Sequence, residues 1–236
     1  MKSFLAPACL RSFYLLAALL LPLDPAHCQT TNAPATNAPP TKTAPVVAQP
    51  PQVETLICFR HGERTDKEIG QLKIQGLNRA LALPKLLLSR YGKPQYLFAP
   101  DPSEKIGNPP VCYVRPLAAI EPTAIYCDLP VNTLFGFRHI QQLETEIKKP
   151  LYANSLIFIC WEHHFLEKFV RQVIVDYGAA GEQVPAWVPD DYDTIYIVKI
   201  RRQDGSTTAE FGVEKENLNN LSGTFPGPAP ALPPGH

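Results

Sequence analysis

Two apolar, β-rich runs, each stopping at a cluster of charged and imidazole side chains, constrain this chain more than any other feature. Val53–Phe59 (VETLICF) runs into Arg60-His61-Gly62-Glu63-Arg64, and Leu156–Trp161 (LIFICW) runs into Glu162-His163-His164. A short, nearly continuous apolar run suits a strand covered on both faces, as in a parallel sheet flanked by helices. The segments around these runs supply the helices. Leu72–Arg90 carries Leu77, Ala80, Leu81, Leu83, Leu87 and Leu88 at amphipathic spacing, and Leu117–Ile125, Ile140–Lys149 and Phe165–Tyr177 also read as helices. Tyr96–Ala99 is a short strand closed by Pro100 and Pro102, while Thr194–Ile200 and Thr207–Val213 flank Asp204-Gly205 as a hairpin. This order predicts an α/β fold, a three-layer α/β/α sandwich with a mostly parallel sheet and a terminal antiparallel hairpin. Ligands of such sheets sit beyond the carboxyl ends of the strands, where His61 and His163 both fall.

The 26 prolines do not argue against that body, because about half of them lie in the two flanks. Residues 1–28 read as a signal peptide: Lys2 and Arg11 precede the apolar run Phe13–Leu23, and Ala26 and Cys28 stand at the −3 and −1 positions of a cleavage before Gln29. A lipoprotein with Cys28 acylated fits the preceding residues less well. The expected location is periplasmic or secreted, with no stable membrane insertion of the mature chain. Residues 29–52, rich in Pro, Ala and Thr, read as a disordered linker, residues 53–221 as the globular domain and residues 222–236 as a Pro-rich disordered tail.

Charge narrows the partners. Lys and Arg number 22 against 22 Asp and Glu, so the basic excess of a nucleic-acid binder is missing. Cys58, Cys112, Cys127 and Cys160 lie in the body without any C-x-x-C pair; Cys58 and Cys160, inside the apolar runs, read as small hydrophobes. Four cysteines permit three pairings, and the spacing selects none of them.

The strand-end clusters carry the chemistry. In Arg60-His61-Gly62-Glu63-Arg64 two guanidiniums flank an imidazole, and guanidinium forks match phosphate oxygens bidentately. A neutral histidine held in one tautomer can act as a nucleophile. Arg115 stands just ahead of the Leu117–Ile125 helix, where an anion is favoured, and His163 supplies a second imidazole. Two histidines and three arginines at one sheet edge describe phosphoryl transfer without a metal.

These residues resemble the histidine phosphatase (phosphoglycerate mutase-like) superfamily. Arg60-His61-Gly62-Glu63 is similar to its R-H-G-E signature, and Leu72 with Gly76-Leu77-Asn78-Arg79-Ala80 is similar to its first helix. Arg115 with Thr123-Ala124 resembles its second arginine and following helix, and His163 resembles its second catalytic histidine. The resemblance spans about Val53 to Val213. It implies the phosphoglycerate mutase-like fold, His61 as the phosphohistidine nucleophile, and Arg60, Arg64, Arg115 and His163 as the phosphate pocket. It also implies a small phosphorylated substrate and no cofactor. His164 stands where many members have glycine and receives no catalytic role.

One part of the pattern is missing. Many members carry a proton-donating glutamate after the second arginine, whereas Leu129–Gly136 (LPVNTLFG) holds no carboxylate. Glu144 and Glu146 read as the solvated face of a helix; Glu121 and Glu162 are the remaining candidates, each with an equally good structural role. A metal site built from His61, His163, His164 and a glutamate is disfavoured by the adjacent arginines and lacks H-E-x-x-H spacing. An ion-pair network alone would account for Arg60, Glu63 and Arg64 but not for the paired histidines. The two functional expectations are an exported phosphomonoester phosphatase and, as the alternative, a non-catalytic phosphate-ligand binding or interaction protein on the same fold.

Overall fold

The computed structural model describes residues 50–228; the expected signal peptide, most of the Pro-rich linker and the last residues of the tail lie outside them. Strand β1 (Gln52–Arg60) is the middle of the architecture. It pairs in parallel with β6 (Leu156–Trp161), and β6 pairs in parallel with β2 (Tyr96–Phe98), which carries the short β5 (Val131–Asn132) at the edge. On its other side β1 runs antiparallel to β7 (Thr194–Gln203), and β7 to β8 (Ser206–Lys215). The six strands lie in the order β5-β2-β6-β1-β7-β8, a mostly parallel sheet closed by an antiparallel hairpin. Asp204 and Gly205, at φ 51° and 77°, form the turn of that hairpin, the left-handed pair that matches strand twist.

Residue alternation in the two apolar runs explains why both lack a polar face. Leu56 and Cys58 face one layer, with Ile157, Ile159 and Trp161; Ile57 and Phe59 face the other, with Phe158 and Cys160. Helices α1 (Ile74–Tyr91) and α2 (Arg115–Cys127) cover the second face through Leu83, Leu87, Ala119, Ile120 and Ala124. Helices α3 (Ile140–Ile147) and α4 (His163–Asp176) cover the first through Leu143, Ile147, Phe169, Val170 and Val173. Each such aliphatic side chain, fully removed from water, contributes about 1.5–3 kcal/mol against its exposed state. Cys58 and Cys160 are buried in this core as free thiols, and burial pushes both well above the ordinary thiol range. Cys112 and Cys127 are free as well.

Several boundaries differ from the sequence expectation for local reasons. Helix α2 begins at Arg115, two residues early, because Pro116 suits the first helical turn. Helix α3 stops at Ile147 rather than Lys149, since Lys149 precedes Pro150 and its φ, ψ of −67°, 145° are extended. Leu81, placed by spacing on the inner stripe of α1, is 49% exposed, and Arg79 takes the inward position. The segment Asp101–Pro110 contains β3 (Lys105–Ile106), which pairs with β4 (Val111–Cys112) as a second, two-stranded sheet. The stretch from Ser222, expected as the start of a free tail, rests on α1 as far as Thr224: Asn78 Nδ2 donates to the carbonyls of Ser222 and Thr224 at 2.7 and 2.9 Å. Among the described residues no helix is long and apolar enough to cross a membrane.

Candidate active site

Parallel register brings the two histidines together. Arg60 at the end of β1 is aligned with Trp161 at the end of β6, so His61 and His163 leave adjacent strands one and two residues beyond the last pair. Gly62 and Gly76 let the turn after β1 lie directly on the first turn of α1. A Cβ on Gly62 would sit 2.9 Å from Gly76 Cα, and a Cβ on Gly76 would sit 2.9 Å from Glu63 N. Arg115 enters from the first turn of α2 and His163 from the first turn of α4, so two helix N-termini also face the strand ends.

His61 is 2% exposed, and its Nδ1 lies 2.7 Å from the Gly62 carbonyl. A carbonyl can only accept, so Nδ1 carries the proton and Nε2 keeps its lone pair. Burial, followed by the charges of Arg60 and Arg115, pushes the His61 pKa well below its ordinary value and keeps the ring neutral. The result is an imidazole in one tautomer with a free nucleophilic nitrogen.

Around it stand buried donors that meet no acceptor among the described residues. They include Arg60 Nε, Arg115 Nε and Nη1, the Tyr113 hydroxyl and His163 Nε2. Arg60 is anchored rather than free: Nη1 donates to the carbonyls of Pro189 and, at 3.3 Å, Asp191, and its guanidinium carbon lies 4.1 Å from the centre of the Tyr192 ring. Burial lowers the Arg60 pKa, and an anion would offset that cost. Arg115 stacks 4.9 Å from the centre of the Tyr113 ring. His163 Nδ1 lies 2.8 Å from Glu162 Oε1, off the direction of a hydrogen bond. Because buried polar groups are nearly always paired, a concentration of unpaired donors marks a place for a bound anion.

The remaining expected residues fall as follows. Arg64 lies at the rim, its side chain 40% exposed and its Nη1 2.6 Å from Glu68 Oε1; Glu68 Oε2 in turn lies 3.9 Å from Arg115 Nη1. His164 is exposed, with its ring 4.0 Å from that of His163. Glu162 caps α4 by accepting from Phe165 N at 3.1 Å. Burial would raise its pKa, but the His163 contact and the cap outweigh burial and hold the carboxyl below its ordinary range, which does not suit a proton donor. Glu121 faces solvent beside a surface depression that Asp128, Leu129 and Pro130 also line, and neither His61 nor His163 borders it. Glu144 and Glu146 pair with Lys148 and Lys149 on the outside of α3.

Glu162, His163 and His164 place potential metal-ligand atoms within 4.8 Å of one another. The chemistry there suits an anion better, because the α4 N-terminus, Arg60 and Arg115 all present positive charge and Glu162 is committed to the cap.

Arg79, Glu68, Tyr113 and Tyr192 had no role in the sequence reading of the site. Arg79 is fully buried and bonds Glu63, Asp193, Glu216 and Asn219, tying α1 to the strand-end turn and to the end of β8. An arginine in register with Gly76, Ala80, Leu83 and Leu87 was the available signal, because a charge on an inner face needs buried partners.

No family model matches the chain, and no curated protein matches it. Among solved structures it is similar to the candidate phosphohistidine phosphatase SixA from Nakamurella multipartitia, at 15% identity and a TM-score of 0.45, over 69% of this chain and 95% of that one. It is similar also to the corresponding SixA candidate from Agrobacterium tumefaciens, at 10% identity and a TM-score of 0.43, over 67% of this chain and 96% of that one. A third is a mutant phosphoserine phosphatase from Entamoeba histolytica in complex with phosphoserine, at 11% identity and a TM-score of 0.40, over 71% of this chain and 99% of that one.

Proposed function

We propose that this chain is a phosphatase that hydrolyses small phosphomonoesters through a phosphohistidine on His61, without a metal ion, and that it is exported on cleavage of residues 1–28. The observation that carries the reading is the neutral His61, with Nδ1 committed to the Gly62 carbonyl, beneath the unpaired donors of Arg60, Arg115 and His163. In the first step His61 Nε2 attacks phosphorus, the bond to the ester oxygen breaks, and the leaving oxygen takes a proton. In the second step water attacks the phosphohistidine, inorganic phosphate leaves and neutral His61 returns. Arg60, Arg115 and His163 stabilise charge on the phosphoryl oxygens in both steps, and loss of one such donor costs about 10²–10³ in rate. Arg64 adds positive charge at the rim.

The alternative, a protein that binds a phosphorylated ligand without turning it over, draws support from Glu121 and Glu162, neither of which is placed to protonate a leaving group. Hydrolysis of an aryl phosphate by the folded chain, with and without chelator and beside His61→Ala, separates the readings, because a good leaving group needs little protonation. The phosphatase reading expects turnover that chelator leaves intact and His61→Ala abolishes. Phosphate binding with no turnover favours the binder; turnover retained in His61→Ala overturns the assigned nucleophile. Export is tested by N-terminal sequencing of the protein recovered outside the cytoplasm, expected to begin at Gln29.

A further inference from the structure

We propose that Glu68 is the acid that protonates the leaving oxygen, an assignment that rests on the phosphatase reading. Two other nearby carboxylates are fixed by structural contacts: Glu63 is held by the Arg79 fork and Glu162 by the α4 cap. Glu121 faces solvent on α2. Glu68 lies instead beside Arg115, one of the buried donors of the site. Its side chain is 44% exposed, with Oε1 2.6 Å from Arg64 and Oε2 3.9 Å from Arg115.

In-line displacement fixes which side of the pocket the acid must occupy. The nucleophile is the deeply buried His61, so the bond that breaks points away from it, toward solvent and the rim. Glu68 is the carboxylate at that rim, and the fold holds it there. Gly107, at φ +73°, brings the β3–β4 hairpin so close that a Cβ would lie 3.2 Å from Glu68 Cβ, and the isolated bridge between Arg64 and Leu72 closes the turn that carries it. Before substrate enters, Arg64 and Arg115 flank the carboxylate. A phosphoryl group bound to Arg115 would lie next to this carboxyl.

The step balances without a further reactant. As Nε2 of His61 bonds to phosphorus, the phosphorus–oxygen bond breaks, the leaving oxygen keeps that electron pair, and the Glu68 carboxyl gives it a proton. The resulting carboxylate then accepts a proton from the water that attacks the phosphohistidine, which restores Glu68 for the next turnover. A proton donor at this place extends the substrate range to alkyl phosphates, whose alkoxide leaving groups depart slowly without protonation.

The test compares the wild-type chain with Glu68→Gln on two substrates, 4-nitrophenyl phosphate and glycerol 3-phosphate, with thermal melts to confirm that both proteins fold. Glu68→Gln is expected to lose about 10²–10⁴-fold in kcat/KM on glycerol 3-phosphate and about tenfold or less on 4-nitrophenyl phosphate. Glu68→Asp should recover part of the loss. An equal fall on both substrates would show a structural or binding role and overturn the proposal, as would an undiminished rate on glycerol 3-phosphate. Absence of turnover by the wild-type chain on both substrates would instead sink the phosphatase reading, and the role of Glu68 with it.

Discussion

Arg79 grips Glu63 with a two-pronged fork: Nη2 donates to Oε1 at 2.8 Å and Nε to Oε2 at 3.2 Å. Glu63 lies two residues beyond His61, so this pair joins the candidate nucleophile's turn to the inner face of α1. The third nitrogen of the same guanidinium, Nη1, reaches Glu216 and, at 3.3 Å, Asp193, which adds the end of β8 and the start of β7 to the joint. One buried cation thereby holds three carboxylates in place behind the site.

Arg79→Met removes the cation, leaving Glu63 and Asp193 uncompensated and the buried Glu216 carboxyl without its partner. Loss of one partner from a buried ionic cluster costs about 3–5 kcal/mol, which for a domain of this size lowers Tm by roughly 10 °C. Arg79→Lys keeps the charge but cannot form the fork, and should fall between the two. A thermal melt of Arg79→Met within about 2 °C of wild type would show that the cluster contributes little.

Glu216 makes that cluster sensitive to pH. Burial raises its pKa from 4.5 to about 8, with Asp193 and Glu63 acting in the same direction and Arg79 opposing them. The folded state therefore keeps a proton that the unfolded chain releases near pH 4.5, and the associated stability, present at acid pH, is lost as pH rises through about 8. Glu54, raised to about 7 by burial against the opposing pull of Arg202, has the same sign. Denaturant melts from about pH 5 to about pH 8.5 should show stability falling with pH in wild type and falling less steeply in Glu216→Gln. Identical slopes would place Glu216 among the ionised carboxylates.

The sheet and the two histidines were legible in the sequence because burial on both faces leaves continuous apolar runs, and β1 and β6 are such runs. Their parallel register then makes the convergence of His61 and His163 a matter of counting beyond the last paired residue. Glu68 was not legible. It lies in the polar stretch Thr65–Gly70, which has no period, and its position depends on the hairpin Lys105–Cys112 closing over it from a different part of the chain. Tyr192 likewise reaches Arg60 through a turn whose path is set by the carbonyls of Pro189 and Asp191. Arg79 sits between these cases: its register with Gly76, Ala80, Leu83 and Leu87 was a signal the sequence reading did not use, and its partners lie at residues 63, 193 and 216, separations that no local pattern encodes.

Gly76→Ala tests the close approach of α1 to the strand-end turn. The added Cβ would lie 2.9 Å from Glu63 N and press on the Glu63 carbonyl, both backbone groups that cannot swing aside. The turn holding His61 must shift, so phosphate affinity measured by calorimetry should fall together with Tm. Gly92→Ala is the control: Gly92 has φ 88° and ψ −176° but open space around its Cβ position, so substitution there costs about 1–3 kcal/mol of stability and leaves phosphate binding unchanged. Equal phosphate affinity in Gly76→Ala and wild type would show that the approach is not needed to shape the pocket.

His61 should remain neutral where an ordinary histidine has begun to charge. Burial is the first cause, and Arg60, Arg115 and His163 add to it, so the folded pKa lies well below 6.5 and protonation sets in only as pH falls beneath that value. In the ligand-free protein, histidine-selective nitrogen NMR should show His61 with a protonated Nδ1 and a bare Nε2 at pH 6.5, without the change that marks an imidazolium. Inorganic phosphate bound beside the arginines neutralises part of their charge and should move the His61 titration upward. An imidazolium at His61 in the free protein at neutral pH would leave no lone pair for attack on phosphorus and would remove the nucleophile from the mechanism.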